Sequence, residues 1–441
     1  MPAEYAAEIS AKLEDPEGLE KLYRQALKRG EGSLFAKAVD ELYYANPQNL
    51  LLAAWHYRLR EEVVPSAGPG RLPFHWLYAA LLAIPSGFVF WLISDSRLTV
   101  RHQIPFFILY WAPICAAFIL LYLFLIHRQF FSRFALLMVA LALASSWAYL
   151  ADFLIKREIF WKQYLNLGAI HLIPLAWATV GLYVLKWQDD VESRFAFLAK
   201  SLEALVMGGL MGIVLGIFTL ISWGLLHTFF FYLPEPIERI FTMGGMGCIP
   251  VLAVASIYEP LRRLQEQNFA GLFRFVTLLL RIFLIPSILV LIAYIALIPF
   301  NFTRPFFNRE ALIAYNVMLF AVVGLLLWTV PVRKEEISES LSRWLRRGRM
   351  LLVILAIIVS LYAFSAIIYR TWWDGLTPNR LTVIGWNILN TALLAILLWR
   401  EGKAGEEWVK AAHKTFAQAM PVYAGWSLLL LVALPLIFIG G

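Results

Sequence analysis

The chain of 441 residues is 61% hydrophobic and only 15% charged, with a formal net charge of +8. Soluble proteins carry roughly 45–50% apolar and ~25% charged residues, so the two or three soluble domains usual for this length are excluded. The two cysteines, Cys115 and Cys248, each sit inside an apolar run. That excludes a disulfide framework and a thiolate metal site and leaves them as small packing residues.

Residues 1–62 read as a small cytoplasmic helical domain. Asp15-Pro16-Glu17 is a helix start, with an acid at the N-cap and proline in the first turn. Leu19, Leu22, Tyr23 and Leu27 keep helical spacing, and Gly30 is expected to close that helix. Leu34, Phe35, Ala38, Val39, Leu42 and Tyr43 form the stripe of a second helix. Asn46-Pro47 punctuates, and Leu51, Leu52, Trp55 and Leu59 predict a third. The arrangement resembles one tetratricopeptide-type hairpin, a single unit rather than an array. It is expected either to cap the membrane domain or to dock a cytoplasmic protein partner. The domain is net acidic, so the basic excess belongs to the rest of the chain, where anionic lipid headgroups explain it better than nucleic acid. Residues 63–73, with Pro65-Ser66-Ala67-Gly68-Pro69-Gly70, read as a linker.

From residue 74 to 441 the chain reads as a multi-pass transmembrane domain. About eleven apolar runs start near Phe74, Ile104, Phe134, Gly168, Ala204, Arg239, Phe275, Glu310, Met350, Leu381 and Gln418. Each has roughly the 18–25 residues that a helix needs to cross ~30 Å of hydrocarbon. Backbone groups in lipid must be satisfied within the segment, and runs such as Leu351 to Ile368 lack the alternation of barrel strands. The fold class is therefore all-α: a polytopic transmembrane helix bundle with a small N-terminal soluble helical domain. No secretory signal pattern precedes Phe74, so the first span is expected to direct insertion itself. Bases such as Arg128, Arg133, Lys186, Arg194, Lys200, Arg343, Arg346, Arg347 and Arg349 outnumber those of the opposite loops roughly twofold, which predicts a cytoplasmic N-terminus and, with an odd span count, an outer C-terminus. The basic stretch Arg333 to Arg349 predicts an amphipathic helix lying on the inner leaflet.

Charge inside the membrane costs at least ~2.5 kcal/mol and is a site hypothesis by default. The candidates are few. Arg281 either snorkels at the interface or reaches a cavity. Asn316, together with Asn387 and Asn390 beside Thr391, either ties helices together or lines a polar pocket; His171 is a weaker case. Gly208, Gly212 and Gly216 predict close helix packing, and Gly244, Gly245 and Gly247 loosen the sixth span. Pro113, Pro174, Pro250 and Pro286 permit kinks. Asp189-Asp190 reads as a solvated loop. There is no phosphate-cradling glycine loop with lysine and no metal-ligand cluster. Neither an ATPase, a metal, a cofactor nor a catalytic residue is assigned.

The segment Tyr369-Arg370-Thr371-Trp372-Trp373-Asp374-Gly375-Leu376-Thr377-Pro378-Asn379-Arg380 resembles the Tyr-Gly-(Leu/Ile)-Thr-Glu-x-Arg-Tyr hallmark of a bacterial family of multi-pass membrane proteins, the domain of unknown function numbered four-one-five-three. The basic run Arg343 to Arg349 before the preceding span, and Phe283-Leu284-Ile285-Pro286 followed by Tyr294, are similar too; the likeness covers roughly Phe269 to Trp399. Asp374, Pro378 and Leu381 stand where the hallmark has Tyr, Glu and Tyr. The resemblance implies a bacterial inner-membrane protein without an assigned activity. Read physically, the segment is a tight outer turn, with Gly375 at positive φ, Thr377 capping the next helix, and Asp374, Asn379 and Arg380 as ligand or partner candidates. The expected function is transport or lipid handling without an ATPase of its own. The alternatives are a scaffold or sensor that recruits cytoplasmic partners, and a membrane-embedded enzyme.

Overall fold

The computed structural model describes residues 2–13, 15–28, 32–62, 74–101, 103–128, 130–185, 190–229, 234–260, 264, 267, 271–307, 309–332 and 337–439. Gly30, the linker 63–73, Lys186, Asp189 and the first part of the basic loop, Arg333 to Glu336, lie outside the described residues. The chain divides into two compact units, Met1–Pro73 and Phe74–Gly441.

The first unit is four helices: α1 (Pro2–Ser10), α2 (Pro16–Lys28), α3 (Gly32–Ala45) and α4 (Leu50–Glu62). The helix that sequence reading did not place is α1, which joins the core because Tyr5 and Ile9, one turn apart, bury against α3. Asp15 caps α2 as expected, its Oδ1 accepting from the Gly18 N–H at 2.9 Å. Asn49 caps α4, accepting from Leu51 and Leu52 at 2.9 and 3.0 Å. Tyr23, Phe35 and Trp55 pack at tilted or edge-on angles with centroids 5.2–5.8 Å apart, a favoured aromatic geometry. Arg58 lies over the Trp55 ring and pairs with Glu20 at 2.8 Å. Hydrogen bonds from Arg58 and Arg24 hold the Glu20 carboxyl below its usual range.

The second unit is α5 (Phe74–Ile93), a two-residue hairpin of β1 (Thr99–Val100) and β2 (Ile104–Pro105), then α6 (Phe106–His127), α7 (Phe131–Leu150), α8 (Glu158–Val184), α9 (Val191–Phe229), α10 (Glu235–Arg239), α11 (Gly245–Ile257), α12 (Gly271–Leu297), α13 (Arg304–Phe307), α14 (Arg309–Trp328), α15 (Glu339–Asp374), α16 (Pro378–Ala404) and α17 (Trp408–Ile437). Among the described residues, nine stretches are helical, long and apolar enough to cross a membrane. One of them, Pro378–Ile437, is two helices folded back at Gly405, which takes φ +58°. The pairs Asn390–Tyr423 and Arg400–Thr415 match across that turn as an antiparallel hairpin requires. Splitting this stretch and adding the shorter apolar segment Leu312–Trp328 recovers the segment pattern read from hydropathy. The protein is an all-α, multi-pass membrane bundle.

α8 is the most enclosed of the candidate spans, 56% buried. On one side it packs with α6 and α7, on the other with α16 and α17. The membrane half of α9 beyond Leu205, and much of α12, turn leucine, isoleucine and phenylalanine outward, as lipid-facing helices do. Of the α9 glycine stripe, a Cβ on Gly208 or Gly212 would meet Ile249 of α11 at 3.5 and 4.0 Å, while Gly216 faces open space. The expected close packing is confined to the first part of the stripe.

α5 crosses α11 with little room between the backbones. A Cβ on Gly247 would stand 2.7 Å from the Phe90 Cβ and 2.9 Å from the Gly87 Cα. The Ser86 hydroxyl donates to the Gly247 carbonyl at 2.6 Å. The glycines of the sixth span therefore do two things: a π-helical turn at Ile240–Gly244 loosens its start, and Gly247 lets two backbones touch. Gly247→Ala should cost about 1–3 kcal/mol by overpacking, seen as a lower unfolding temperature in detergent, whereas Gly209→Ala, which meets nothing within 4 Å, should leave it unchanged. Beside this crossing, Arg239 pairs with Asp95 at 3.1 Å. The backbone N–H of Arg97, with the Arg239 charge, keeps the Asp95 carboxyl below its usual range.

One expectation is overturned. No separate surface helix lies along the inner leaflet in the described part of the basic loop. Ser338 caps a helix that runs unbroken from Glu339 to Asp374. Leu345, Arg349, Leu352, Val353 and Ala356 form its buried stripe. The amphipathic pattern that suggests a surface helix is the first turns of a span whose apolar side packs against other helices.

Candidate functional site

Three polar layers run along α15, α16 and α17. Asn379, Asn390 and Glu401 recur every three turns of α16, ~16 Å apart along its axis, and Arg349, Ser360 and Arg370 keep nearly the same interval on α15. The outer two layers are thus separated by about the hydrocarbon thickness of ~30 Å, with the third midway.

The first layer is a buried ion pair. Arg349, fully buried, donates to Glu401 Oε1 at 2.6 Å, to Thr329 Oγ1 at 2.7 Å and to the Leu326 carbonyl. Its guanidinium lies 5.3 Å from the Trp408 ring centroid. Arg346 on the same helix donates to the Glu401 and Gly402 carbonyls at the end of α16. In the middle layer, Ser360 Oγ lies 2.6 Å from Thr391 Oγ1, whose proton goes to the Asn387 carbonyl, and 3.3 Å from Asn387 Oδ1. Tyr423 donates to Asn390 Oδ1. Nearby, Trp386 Nε1 donates to His171 Nε2 at 3.1 Å while His171 Nδ1 meets the Leu167 carbonyl at 2.7 Å, which assigns the ring proton to Nδ1. In the third layer, Arg380 pairs with Asp374 at 2.6 Å and donates to the Gly375 carbonyl at 2.5 Å. Gly375 takes φ +80° and Thr377 caps α16, as the turn chemistry predicts.

The sequence candidates therefore separate. Asn387 and Asn390 are buried and bonded to neighbouring helices, so they tie α16 to α15 and α17. Asn316 stands apart on α14, its amide donating to the Leu312 carbonyl at 2.9 Å. Arg281 is half-buried on α12, one turn before Leu284, which packs against α15 at Gly348. Asp374, Asn379 and Arg380 do come together, beside Arg370 and Gln163.

A cavity of about 240 Å³ lies elsewhere, between α6, α8, α9 and α11. Its wall is almost wholly apolar, including Trp111, Cys115, Ala116, Trp177, Ala204 and Ile257. The polar groups at its edge are bonded among themselves. Trp177 Nε1 donates to Ser201 Oγ, which donates to the Phe197 carbonyl. Tyr258 meets His127 at 2.8 Å. Lys200 is buried against Glu203 at 2.6 Å and donates to the Ile257 carbonyl at 3.1 Å.

Sequence reading places Arg349 and Lys200 among the bases of the solvated loops; both are buried with an acid. It does not single out Glu401 or Glu203 at all. A signal exists: Glu401 lies one turn past the buried Leu397, on the same stripe as Leu393 and Leu394, and Lys200 sits between the buried Ala199 and Leu202. No family model matches the chain, and neither the curated proteins nor the solved structures yield a match.

Proposed function

We propose that the protein handles lipid, taking a lipid hydrocarbon chain into the cavity between α6, α8, α9 and α11, without an ATPase of its own. The cavity's chemistry carries this reading. A dry, apolar cavity of ~150 Å³ admits benzene but not water, and the one here is larger. Its polar neighbours are already paired, so it offers water no partners. A hydrocarbon chain gains ~0.8 kcal/mol for each methylene moved out of water, and wall contacts replace those lost in the bilayer. The middle polar layer, by contrast, spends most of its hydrogen bonds on itself and leaves only the buried Asn390 Nδ2 open there, which disfavours passage of a polar solute.

We place the protein in a bacterial inner membrane with its N-terminal side cytoplasmic. The bias of bases between loops supports this. So does the position of the buried cations: Arg133 bonds the Leu182 carbonyl, Lys200 the Ile257 carbonyl and Arg349 the Leu326 carbonyl, all near the ends of spans on one side. The start of α5 lies on that side, where Arg128 meets Tyr78. Phe438, after α17, packs on Phe160 at the opposite end.

The test is covalent capture. A phospholipid carrying a photoreactive group in its acyl chain should label the peptides of Cys115 and Ala204 above those of the outward faces of α9 and α12. Even labelling over all lipid-facing helices would sink the reading.

A further inference from the structure

A second cavity, of about 260 Å³, opens at the end of the bundle opposite the Arg349–Glu401 pair. Its polar wall is Gln163 from α8, Arg370 from α15, Thr377 in the turn, and Asn379 and Arg380 from α16. Leu312, Ile313 and Ile367 form the apolar remainder. Four helices build this wall, so it is a pocket of the fold and not the property of one helix end.

Most of the hydrogen-bonding groups left open here are donors. Gln163 Oε1 is occupied by the Asn379 N–H at 3.2 Å, which leaves the Gln163 amide N–H groups. Thr377 Oγ1 accepts from the Arg380 N–H at 3.3 Å, which leaves its hydroxyl proton. Arg380 is held in place by Asp374 and the Gly375 carbonyl, and Asp374 takes up one of the two positive charges. Arg370 makes no hydrogen bond or ion pair with any described residue. Among the described residues the wall thus carries one guanidinium without an acid, further donors, and the positive end of the long helix α16. An arginine offers five donors in a planar fork suited to phosphate oxygens. Trp372 and Trp373, exposed beside the pocket at 85% and 71%, belong to the residue types that settle at headgroup depth.

We infer that this pocket binds a phosphate-bearing anion at the membrane interface, with Arg370 as its principal ligand, Arg380, Asn379 and Gln163 as further donors, and Leu312, Ile313 and Ile367 against the anion's apolar part. The phosphate is either a lipid headgroup or a soluble phosphate. The site is distinct from the hydrocarbon cavity, and its fate does not depend on that reading.

Full-length protein in neutral detergent is titrated with phosphatidylglycerol, phosphatidylcholine and inorganic phosphate, and bound molecules are counted by native mass spectrometry. Phosphatidylglycerol should bind in preference to phosphatidylcholine. Arg370→Gln should weaken the preferred ligand about tenfold or more, the usual value of a hydrogen bond to a charged group. The unfolding temperature without ligand should stay the same, because Arg370 has no partner to lose among the described residues. Arg347→Gln, an exposed base near the other end of α15, should leave binding intact. Competition by millimolar inorganic phosphate in the wild type, lost in Arg370→Gln, supports the site with a soluble phosphate as its ligand. Loss of phosphatidylglycerol binding with inorganic phosphate inert supports it with a headgroup. Equal binding of the two lipids and no bound phosphate, or a preference that survives Arg370→Gln, overturns it.

Discussion

Glu401→Ala is expected to cost about 3–5 kcal/mol, the penalty for leaving a buried cation without its partner. Arg349 has no exposed surface and Glu401 only 1%, so water cannot replace the lost carboxylate. Thr329 and the Leu326 carbonyl still accept from the guanidinium, but neither is an anion. Glu401→Gln keeps an oxygen in the same position and should cost less than the alanine variant. The double variant Arg349→Met, Glu401→Leu removes both charges and fills similar volume. It should recover most of the loss, because the desolvation of two ions is removed along with their attraction. Unfolding temperatures of the single and double variants in one detergent form the cycle. Single variants as stable as the wild type would show that the pair does not exist as described.

Filling the apolar cavity should have the second large effect. Cys115→Phe combined with Ala204→Phe places two rings in a space of about 240 Å³. Acyl-chain labelling of this region should then fall at least tenfold; ~1.4 kcal/mol of lost burial suffices for each factor of ten. Stability without lipid should be unchanged or raised, since the added rings replace empty space with contacts instead of displacing a packed neighbour. That combination separates lost occupancy from misfolding. Undiminished labelling in a folded variant would remove the cavity from the proposed function.

Helices and caps were legible because their causes are local. Asp15 and Thr377 each accept from a backbone N–H three residues on, and glycine in the turn after Asp374 supplies the positive φ that residue must adopt. The spans follow from run length alone, since a backbone in lipid must satisfy itself within its own helix. The misreading of Arg343 to Arg349 has an equally physical origin. A stripe of leucines beside a stripe of arginines is the same pattern whether the apolar side meets lipid headgroups or another helix. Only the neighbour decides, and here it is α12, α14 and α16.

Asn387 and Asn390 show the intermediate case. Their residue type and spacing mark them as groups that need partners inside the membrane, but not which ones. Ser360 and Tyr423 answer that from two other helices. By itself, then, the sequence determined a membrane-embedded, all-helical chain, its segments and the turns between them. Tertiary structure alone decided that Arg349 meets Glu401, that Arg370 faces a donor-lined pocket, and that four helices leave an apolar space between them. Those outcomes depend on how each helix is rotated and how closely its neighbours approach, which no local stretch of chain specifies.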